Sequence, residues 1–393
     1  MEKKDYIGIG IIGCGTISDI YLTNFTQHYH NVKIIACADM FLEKAEAAKE
    51  KFKLAKACTV DELLKDPDVE LVVNLTIPAA HYEINMKALK AGKHVYCEKP
   101  LALNVEEAEA TVKLAEQKGL MACSAPDTFL GAGIQTCRKL IDAGKIGRPV
   151  GFIANLVCPG HELWHDAPEF YYKQGGGPMW DMGPYYITAL VSLLGPVKRV
   201  SCMAKISRSE REIHGKPIKV EVPTHYAGLM EFENGAVGNI NMSFDVWDSQ
   251  LPCMEIYGTT GMLTVPDPNL FGGSVKFFDG SRLSDIVQAV EGTAFARLVT
   301  MVTKTPECRT EVPLAFPADE DPRCNMRGLG VSDMAGALIA GRDSRLSGEL
   351  SEHVVEVLSG LDRAAKEGAA VEMKTSCRRP EPMAEGKALW QVD

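Results

Sequence analysis

A lysine at position 99 has the setting of a group that moves protons. It lies in the segment Glu98-Lys99-Pro100, directly after the apolar stretch His94–Cys97, which predicts a short buried strand. At the carboxyl end of such a strand, a side chain reaches the edge of a parallel sheet where ligands bind. Because burial lowers the pKa of a lysine, a partly buried lysine at such an edge can take a proton from a hydroxyl and stabilise charge on its oxygen.

A second reactive pair lies at positions 181 and 185. Asp181 and Tyr185 are four residues apart, which places them on one face of a helix, and Pro184 predicts that they lie in its first turn or at a kink. A tyrosine, with an ordinary pKa of about 10, acts as a base only beside a cation such as Lys99. Two alternatives stay open. Either Tyr185 is the base, or it hydrogen-bonds a substrate while Lys99 or a histidine moves the proton.

Residues 161–165 read HELWH and have the H-E-x-x-H spacing of a zinc site. That site needs a helix, whereas the prolines and glycine on either side, at positions 159, 160 and 168, predict a loop. A metalloprotease would also need a further ligand. We therefore predict no metal here. The preferred interpretation is a ligand-facing loop, in which Trp164 stacks on the ligand and one histidine binds hydroxyl groups or relays a proton.

Residues 6–18 read YIGIGIIGCGTIS and fit a phosphate-binding glycine loop in two frames. Such a loop follows a buried strand and opens a helix. If the loop began at Gly8, the strand before it would be charged, and Gly13 and Gly15 would destabilise the helix by about 1 kcal/mol each. In the other frame residues 6–12 form the strand, Gly13 makes the turn, and Gly15 admits a pyrophosphate. Thr16 and Ile17 then begin a helix whose N-terminus favours an anion.

The same stretch could also be an export signal ending at a lipid-attachment cysteine, Cys14. This interpretation fails because Glu2 and Asp5 nearly cancel the two lysines between them, and the apolar segment is short and contains two glycines. The chain has 393 residues, a net charge of −10 and a pI of about 5.5, without a dense basic cluster or an apolar run that could span a bilayer. We therefore expect neither nucleic acid nor membrane as a partner. Twelve scattered cysteines without a C-x-x-C pair predict reduced thiols in a cytoplasmic protein.

Asp39 ends the second predicted strand, residues 32–39. An acid there accepts the ribose hydroxyls of NAD and repels the 2′-phosphate of NADP, and the next residues, Met40 and Phe41, offer no cation for that phosphate. NAD is therefore the predicted cofactor. Strands and helices keep alternating to about residue 124, which predicts an α/β fold with a doubly wound parallel sheet over residues 1–124.

Several motifs resemble those of the Gfo/Idh/MocA oxidoreductases, which include glucose–fructose oxidoreductase and inositol 2-dehydrogenase. They follow one another in the family's order: the glycine loop, TIPAAH (76–81), AGKHVYCEKPL (91–101), LIDAGKIG (140–147), GGGPMWDMG (175–183) and a C-terminal segment at 341–353. The resemblance implies that a Rossmann domain, residues 1–124, precedes an α/β domain, residues 125–374, with a large, open, mostly antiparallel sheet. In this family the open sheet commonly meets another subunit, so we expect a homodimer or homotetramer through it. Residues 375–393 are predicted to form an extended arm.

The resemblance also implies roles for individual residues. Lys99 and Asp181 match catalytic positions, and Tyr185 stands where most members carry a histidine, which leaves the identity of the base open; His165 is a further catalytic candidate. The cofactor is expected to contact the glycine loop and Asp39. It is also expected to contact five residues of the segments 76–81 and 91–101: Thr76, Pro78, His81, Glu98 and Lys99. Asp127, His161 and Trp164 are the expected substrate-binding residues, and the lack of an arginine next to Asp127 favours a neutral polyol over an anion.

The function implied is NAD-dependent hydride transfer to or from a secondary hydroxyl of a sugar, glycoside or cyclitol. An alternative is an NAD-dependent glycosidase, which oxidises the sugar 3-carbon transiently, eliminates the aglycone and reduces the sugar again.

Overall fold

The computed structural model describes residues 5–213, 215–317 and 325–392. The strands in these ranges are β1 (Ile7–Ile12), β2 (Val32–Ala38), β3 (Ala57–Cys58), β4 (Leu71–Asn74), β5 (His94–Cys97), β6 (Ala122–Ser124), β7 (Pro149–Val157), β8 (Val197–Lys205), β9 (Glu210–Ile213), β10 (Lys216–Lys219), β11 (His225–Phe232), β12 (Val237–Ser243), β13 (Met254–Gly258), β14 (Gly261–Val265), β15 (Val275–Asp279), β16 (Arg309–Val312) and β17 (Val371–Glu372). The α-helices are α1 (Ser18–Gln27), α2 (Leu42–Phe52), α3 (Val60–Lys65), α4 (Pro78–Lys90), α5 (Val105–Gln117), α6 (Ala132–Asp142), α7 (Gly177–Leu194), α8 (Gly280–Gln288), α9 (Ala294–Lys304), α10 (Leu329–Ala340) and α11 (Gly348–Glu367). Short 3₁₀ turns lie at Thr128–Leu130, His161–Leu163, Pro168–Tyr172 and Thr305–Cys308.

The N-terminal sheet has six parallel strands in the order β3-β2-β1-β4-β5-β6. Its central strand β1 is buried along its whole length, as expected for a parallel strand covered on both faces. The strand order reverses between β1 and β4, which opens a crevice at the carboxyl ends of these two strands. The predicted doubly wound Rossmann sheet is confirmed, and with it the frame in which residues 6–12 form the strand.

Strand β4 is short and ends at Asn74, because the chain turns directly after it. The Asn74 side-chain oxygen accepts hydrogen bonds from the backbone N–H and the hydroxyl of Thr76. Pro78 then begins α4, where the missing N–H of a proline costs nothing. The carboxyl end of β4, which faces the crevice, is therefore followed by a tight turn.

The second sheet has nine strands in the order β16-β15-β14-β13-β7-β12-β11-β8-β17. Only the β7–β12 pair among these strands is parallel, so the predicted large, mostly antiparallel sheet is confirmed. Helices α7 and α11 pack on the sheet. Apolar side chains on β8, β11 and β12 remain exposed, with Met203 at 81%, Leu229 at 57% and Val237 at 52% of full exposure.

Helix α7 is longer than its proline suggests. It runs for 18 residues, and Pro184 lies inside it rather than in its first turn. Most of its residues are buried against the sheet and against α11. The helix therefore places Asp181 and Tyr185 one turn apart.

Three remaining features concern the predicted setting of the chain. No helix in the described ranges is both long enough and apolar enough to cross a membrane. The eleven described cysteines carry free thiols; Cys324 and the first four residues of the proposed export signal lie outside the described residues. Beyond Thr375 the described chain has no helix or strand, and its Trp390 ring stacks on His28 at 4.0 Å.

Candidate active site

The glycine loop between β1 and α1 has one glycine that the fold requires and one that leaves space. Gly13 has a φ of +101°, and a Cβ there would come within 2.7 Å of the Leu75 backbone. A Cβ at Gly15 would meet no atom within 4 Å. The Ser18 hydroxyl donates to the Gly15 carbonyl at 2.6 Å and closes the first turn of the helix, which Thr16 and Ile17 lead into. The open space at Gly15 and the helix N-terminus together fit an anionic pyrophosphate.

Asp39 follows β2 and is tied to the glycine loop. Its Oδ2 accepts the Cys14 N–H at 2.8 Å, and its Oδ1 accepts the Phe41 N–H at 2.9 Å. The carboxylate is therefore fixed at the carboxyl edge of the sheet, where a ribose would lie. Lys44 Nζ lies 5.1 Å from the centre of the ring of Phe41, the second residue after Asp39.

His81 supports the reactive loop from behind. It is fully buried on α4, and its Nδ1 and Nε2 lie 2.7 Å from the Pro100 carbonyl oxygen and 3.0 Å from the Thr76 carbonyl oxygen. Burial lowers the pKa of His81 despite these two carbonyls. The ring thereby joins the turn after β4, which includes Pro78, to the loop that carries Lys99.

Glu98 is also buried and holds the same loop. Its Oε1 accepts the Tyr21 hydroxyl at 2.8 Å, and its Oε2 accepts the Lys99 N–H at 2.9 Å. Tyr21 lies on α1, directly after the glycine loop. The end of β5 and the start of α1 are thus connected through one carboxylate.

Lys99, which follows β5, forms an ion pair with Asp181 on α7. Lys99 Nζ donates to Asp181 Oδ1 at 2.8 Å and to the Asp181 carbonyl at 2.6 Å, and lies 5.2 Å from the centre of the Tyr185 ring. Burial by itself would lower the pKa of Lys99, but attraction to Asp181 and Tyr185 outweighs it and raises the pKa above the usual value. Although burial opposes it, Lys99 and His161 lower the pKa of Asp181 to about 2. The expectation that the pKa of Lys99 is lowered overall is therefore wrong, because the sequence did not show which carboxylate faces the lysine.

The sequence reasoning missed an arginine at this site. The Tyr185 hydroxyl accepts a hydrogen bond from Arg327 Nη2 at 3.0 Å, and the same nitrogen donates to Asn269 at 3.0 Å. Arg327 precedes α10 and is separated from Tyr185 by 142 residues. The sequence offers one indication of this segment, a glycine at position 328 directly before an apolar helix. In the structure Gly328 has a φ of +102° at the start of α10.

Asp127 holds the segment that carries this arginine. Its Oδ2 accepts the backbone N–H groups of Gly328 and Gly330, each at 3.0 Å. Burial raises the pKa of Asp127 to about 6, against the two backbone hydrogen bonds and Arg327. The expected role of Asp127 in substrate binding stays a prediction. The argument that no arginine lies near Asp127 does not hold in three dimensions.

Of the two loop histidines, the structure brings His161 to Asp181. His161 is buried, and its Nε2 lies 3.5 Å from Asp181 Oδ2. Its ring packs on Tyr171, with ring centres 3.9 Å apart, and its Nδ1 is buried with no hydrogen-bond partner in the described residues. The His165 Nδ1 instead accepts the Ala167 N–H at 3.0 Å. The catalytic role predicted for His165 stays a prediction, but the ring beside the aspartate is that of His161.

The other members of the H-E-x-x-H segment point in different directions. Glu162 forms an ion pair with Arg211, 2.5 Å apart, and also accepts the Tyr172 hydroxyl. Trp164 is 66% exposed beside the His161 ring, the arrangement expected of a side chain that stacks on a ligand. Within residues 5–213, 215–317 and 325–392, no three His, Cys, Asp or Glu side chains are grouped to hold a metal ion.

Two models of one family match this chain in succession. The one described as "Oxidoreductase family, NAD-binding Rossmann fold" matches residues 7–125, and the one for the GFO/IDH/MocA C-terminal domain matches residues 134–264. Together they cover more than half of the chain. The chain belongs to the Gfo/Idh/MocA oxidoreductase family, as its motifs predict.

Relatives of known activity match part of the chain. An inositol 2-dehydrogenase/D-chiro-inositol 3-dehydrogenase of Lactiplantibacillus plantarum is 37% identical over 159 residues, which are 38% of this chain and 44% of that protein. A D-xylose dehydrogenase of Paenarthrobacter nicotinovorans is 28% identical over 56% of this chain and 60% of its own length. The chain thus spans about half the length of the curated relatives it matches.

Solved structures match nearly the whole fold. Levoglucosan dehydrogenase in its apo form superposes with a TM-score of 0.78 at 19% identity, over 95% of this chain and all of that one. The aldose-aldose oxidoreductase of Caulobacter crescentus gives a TM-score of 0.75 at 20% identity, over 94% of this chain and all of that one. At this level of identity the likeness establishes the fold alone.

Proposed function

We propose that this chain is an NAD-dependent oxidoreductase that transfers a hydride between a secondary hydroxyl of a sugar, glycoside or cyclitol and the nicotinamide. The observation that carries the proposal is the Lys99–Asp181 pair, which lies where the carboxyl edge of the Rossmann sheet meets α7. The names of the inositol and xylose dehydrogenases support this class of substrate.

The N-terminal domain offers what a dinucleotide needs. The space at Gly15 and the start of α1 would receive the pyrophosphate, and Asp39 would accept hydrogen bonds from the ribose hydroxyls. The position of Asp39 supports NAD over NADP. When bound, the cofactor supplies the hydride acceptor.

The proton chemistry falls to Lys99 as an ammonium. Its raised pKa keeps it charged at neutral pH, so it would stabilise negative charge on the substrate oxygen as the hydride leaves. In the reverse direction it would donate its proton to that oxygen. Tyr185, whose hydroxyl oxygen already accepts from Arg327, can donate to a substrate oxygen and orient it. Trp164 offers an exposed ring for one face of a sugar.

A screen for NADH formation tests the proposal. The purified chain is incubated with NAD or NADP and a panel of inositols, aldoses and glycosides, and the absorbance of the reduced cofactor is followed. We expect reduction of NAD with at least one polyol, and loss of turnover without loss of NAD binding in Lys99→Ala. The control is Lys113→Ala, since Lys113 is an exposed lysine of α5.

Two outcomes would contradict the proposal. If Lys99→Ala keeps its turnover, the lysine does not have the assigned role. If a glycoside loses its aglycone without net formation of NADH, the chain is an NAD-dependent glycosidase rather than a dehydrogenase.

We further propose that the chain forms a homo-oligomer through the nine-stranded sheet. The exposed Met203, Leu229 and Val237 on neighbouring strands support this, because exposed apolar patches commonly mark contact surfaces. Light scattering should give the mass of a dimer or tetramer for the wild type. The Leu229→Glu variant should give a smaller mass. A monomeric wild type would refute the assignment.

A further inference from the structure

The small hairpin of β9 and β10 lies outside both large sheets, yet one of its side chains contacts the loop that carries His161. Arg211 on β9 is 4% exposed. Its Nη1 donates to the Pro159 carbonyl at 3.0 Å and to Glu162 Oε1 at 2.5 Å. Both acceptors belong to the loop that carries His161. The hairpin is therefore attached to the site loop through one guanidinium.

The other side of the guanidinium is fixed to the nine-stranded sheet. Arg211 Nη2 donates to the Phe244 carbonyl at 2.8 Å and to the Asp245 carboxylate, directly after β12. Asp245 in turn accepts the Thr224 hydroxyl at 2.6 Å. A lysine could not make these contacts, because only the planar fork of an arginine reaches acceptors on both sides.

The same cluster holds the backbone of His161. The Tyr172 hydroxyl donates to Glu162 and accepts the His161 N–H at 3.2 Å, and the Arg211 guanidinium lies 5.1 Å from the centre of the Tyr172 ring. Gly160 has a φ of +120°, and a Cβ there would come within 2.4 Å of Arg211 Nη1. The chain before His161 is thus packed directly against the arginine.

We propose that Arg211 is a positioning residue of the active site: by clamping Pro159 and Glu162 to the sheet, it sets His161 against Asp181. The imidazole reaches Asp181 Oδ2 at 3.5 Å, while Asp181 Oδ1 holds Lys99. A displaced loop would remove one of the two groups that keep Asp181 charged and in place. The glutamate of the H-E-x-x-H segment is then a partner of the clamp and not a catalytic base.

This inference rests on the proposed function for its kinetic part, so the first test needs no substrate. Amide hydrogen exchange of residues 158–172 is compared in the wild type, Arg211→Lys and Glu162→Gln. Arg211→Lys keeps the positive charge beside two largely buried carboxylates, Glu162 and Asp245, so we expect this variant to fold. We expect faster exchange in this loop in both variants, and ring-nitrogen NMR of His161 should show an altered contact with Asp181. Arg199→Lys, at a half-exposed arginine of β8, is the matched control.

The second test separates positioning from stability. With a polyol that the wild type oxidises, Arg211→Lys should lose tenfold or more in kcat, while its KM for NAD stays the same. His161→Phe should lose a similar factor, and the double variant should lose no more than either single one, because Arg211 acts through His161. A merely structural arginine would lower the melting temperature and leave kcat unchanged.

Three results would overturn the inference: loop exchange in Arg211→Lys equal to that in the wild type, kcat losses that multiply in the double variant, or an unchanged kcat in Arg211→Lys. If no polyol is oxidised by the wild type, the proposed function fails, whereas hydrogen exchange and histidine NMR still decide whether Arg211 places His161.

Discussion

Replacing Asp181 by Asn removes the counter-charge of a buried lysine and should destabilise the protein in a pH-dependent way. The carboxyl pKa falls from an ordinary value of 3.8 to about 2 in the folded chain. This depression corresponds to about 2.5 kcal/mol of stability at pH 7. The variant also leaves the Lys99 ammonium with only a carbonyl and an aromatic ring, and breaking a buried pair costs about 3–5 kcal/mol. We therefore expect Asp181→Asn to lose about 3 kcal/mol at pH 7.

The sign of the pH effect follows from the depressed pKa. The contribution of Asp181 is complete above its unfolded pKa near 3.8 and is lost as the pH falls through about 2. The difference between wild type and Asp181→Asn should therefore shrink by about half at pH 3. The raised pKa of Lys99 acts at the other end of the scale, since its contribution is lost only as the pH rises above 10.5.

Urea unfolding followed by circular dichroism at pH 7 and pH 3 measures this difference. Asp285→Asn serves as the control, because Asp285 is an exposed carboxylate on α8. If Asp181→Asn lowers the free energy of unfolding by less than about 0.5 kcal/mol at pH 7, the pair contributes no more than an exposed ion pair, and the reasoning is refuted. A loss that stays constant down to pH 3 would attribute the effect to something other than the carboxylate charge.

Three further predictions concern the cofactor loop and the substrate loop. Gly13→Ala should lower the melting temperature, since its Cβ would meet the Leu75 backbone. Gly15→Ala should melt like the wild type but bind NAD at least tenfold more weakly in a fluorescence titration. Equal effects of the two substitutions on melting temperature and NAD affinity would contradict the assigned roles. Asp39→Ala should narrow the preference for NAD over NADP in cofactor titrations, and an unchanged ratio would count against its contact with the ribose. Trp164→Ala should keep the melting temperature and raise KM for the polyol several-fold, and an unaltered KM would exclude stacking on the substrate.

The Rossmann half of the fold could be predicted because its signals are local. Buried parallel strands are continuous apolar runs, and the glycine frame was decided by which strand could be buried. Asp39 and Lys99 could be placed for the same reason, since each directly follows such a strand and must lie at its carboxyl edge. The second sheet was predicted mainly from the family's motifs, because its strands are half-exposed and lack the continuous apolar runs of the first sheet.

The rest of the site depends on contacts that no local pattern encodes. Arg327 reaches Tyr185 across 142 residues of sequence, and Arg211 reaches Glu162 across 49. Neither arginine lies in a recognisable motif, and only packing decides that they are buried and where they point. The same limit explains why the two histidines of HELWH could not be ranked, since the 3₁₀ turn at residues 161–163 sets which ring meets Asp181.

The raised pKa of Lys99 determines which groups can accept the hydroxyl proton in the proposed reaction. A lysine with a lowered pKa would be a free base, but Lys99 is an ammonium held by Asp181, and a charged donor cannot accept a further proton. In the direction of alcohol oxidation, the hydroxyl proton therefore leaves either through Tyr185 or after Lys99 has passed its own proton on. The Tyr185 oxygen accepts from Arg327, which leaves its hydrogen directed elsewhere, and the Tyr185 ring lies close to two cations, Lys99 and Arg327. Tyr185→Phe should therefore lower kcat/KM for alcohol oxidation and for carbonyl reduction by similar factors at one pH, because the group that accepts the hydroxyl proton in oxidation returns it in reduction.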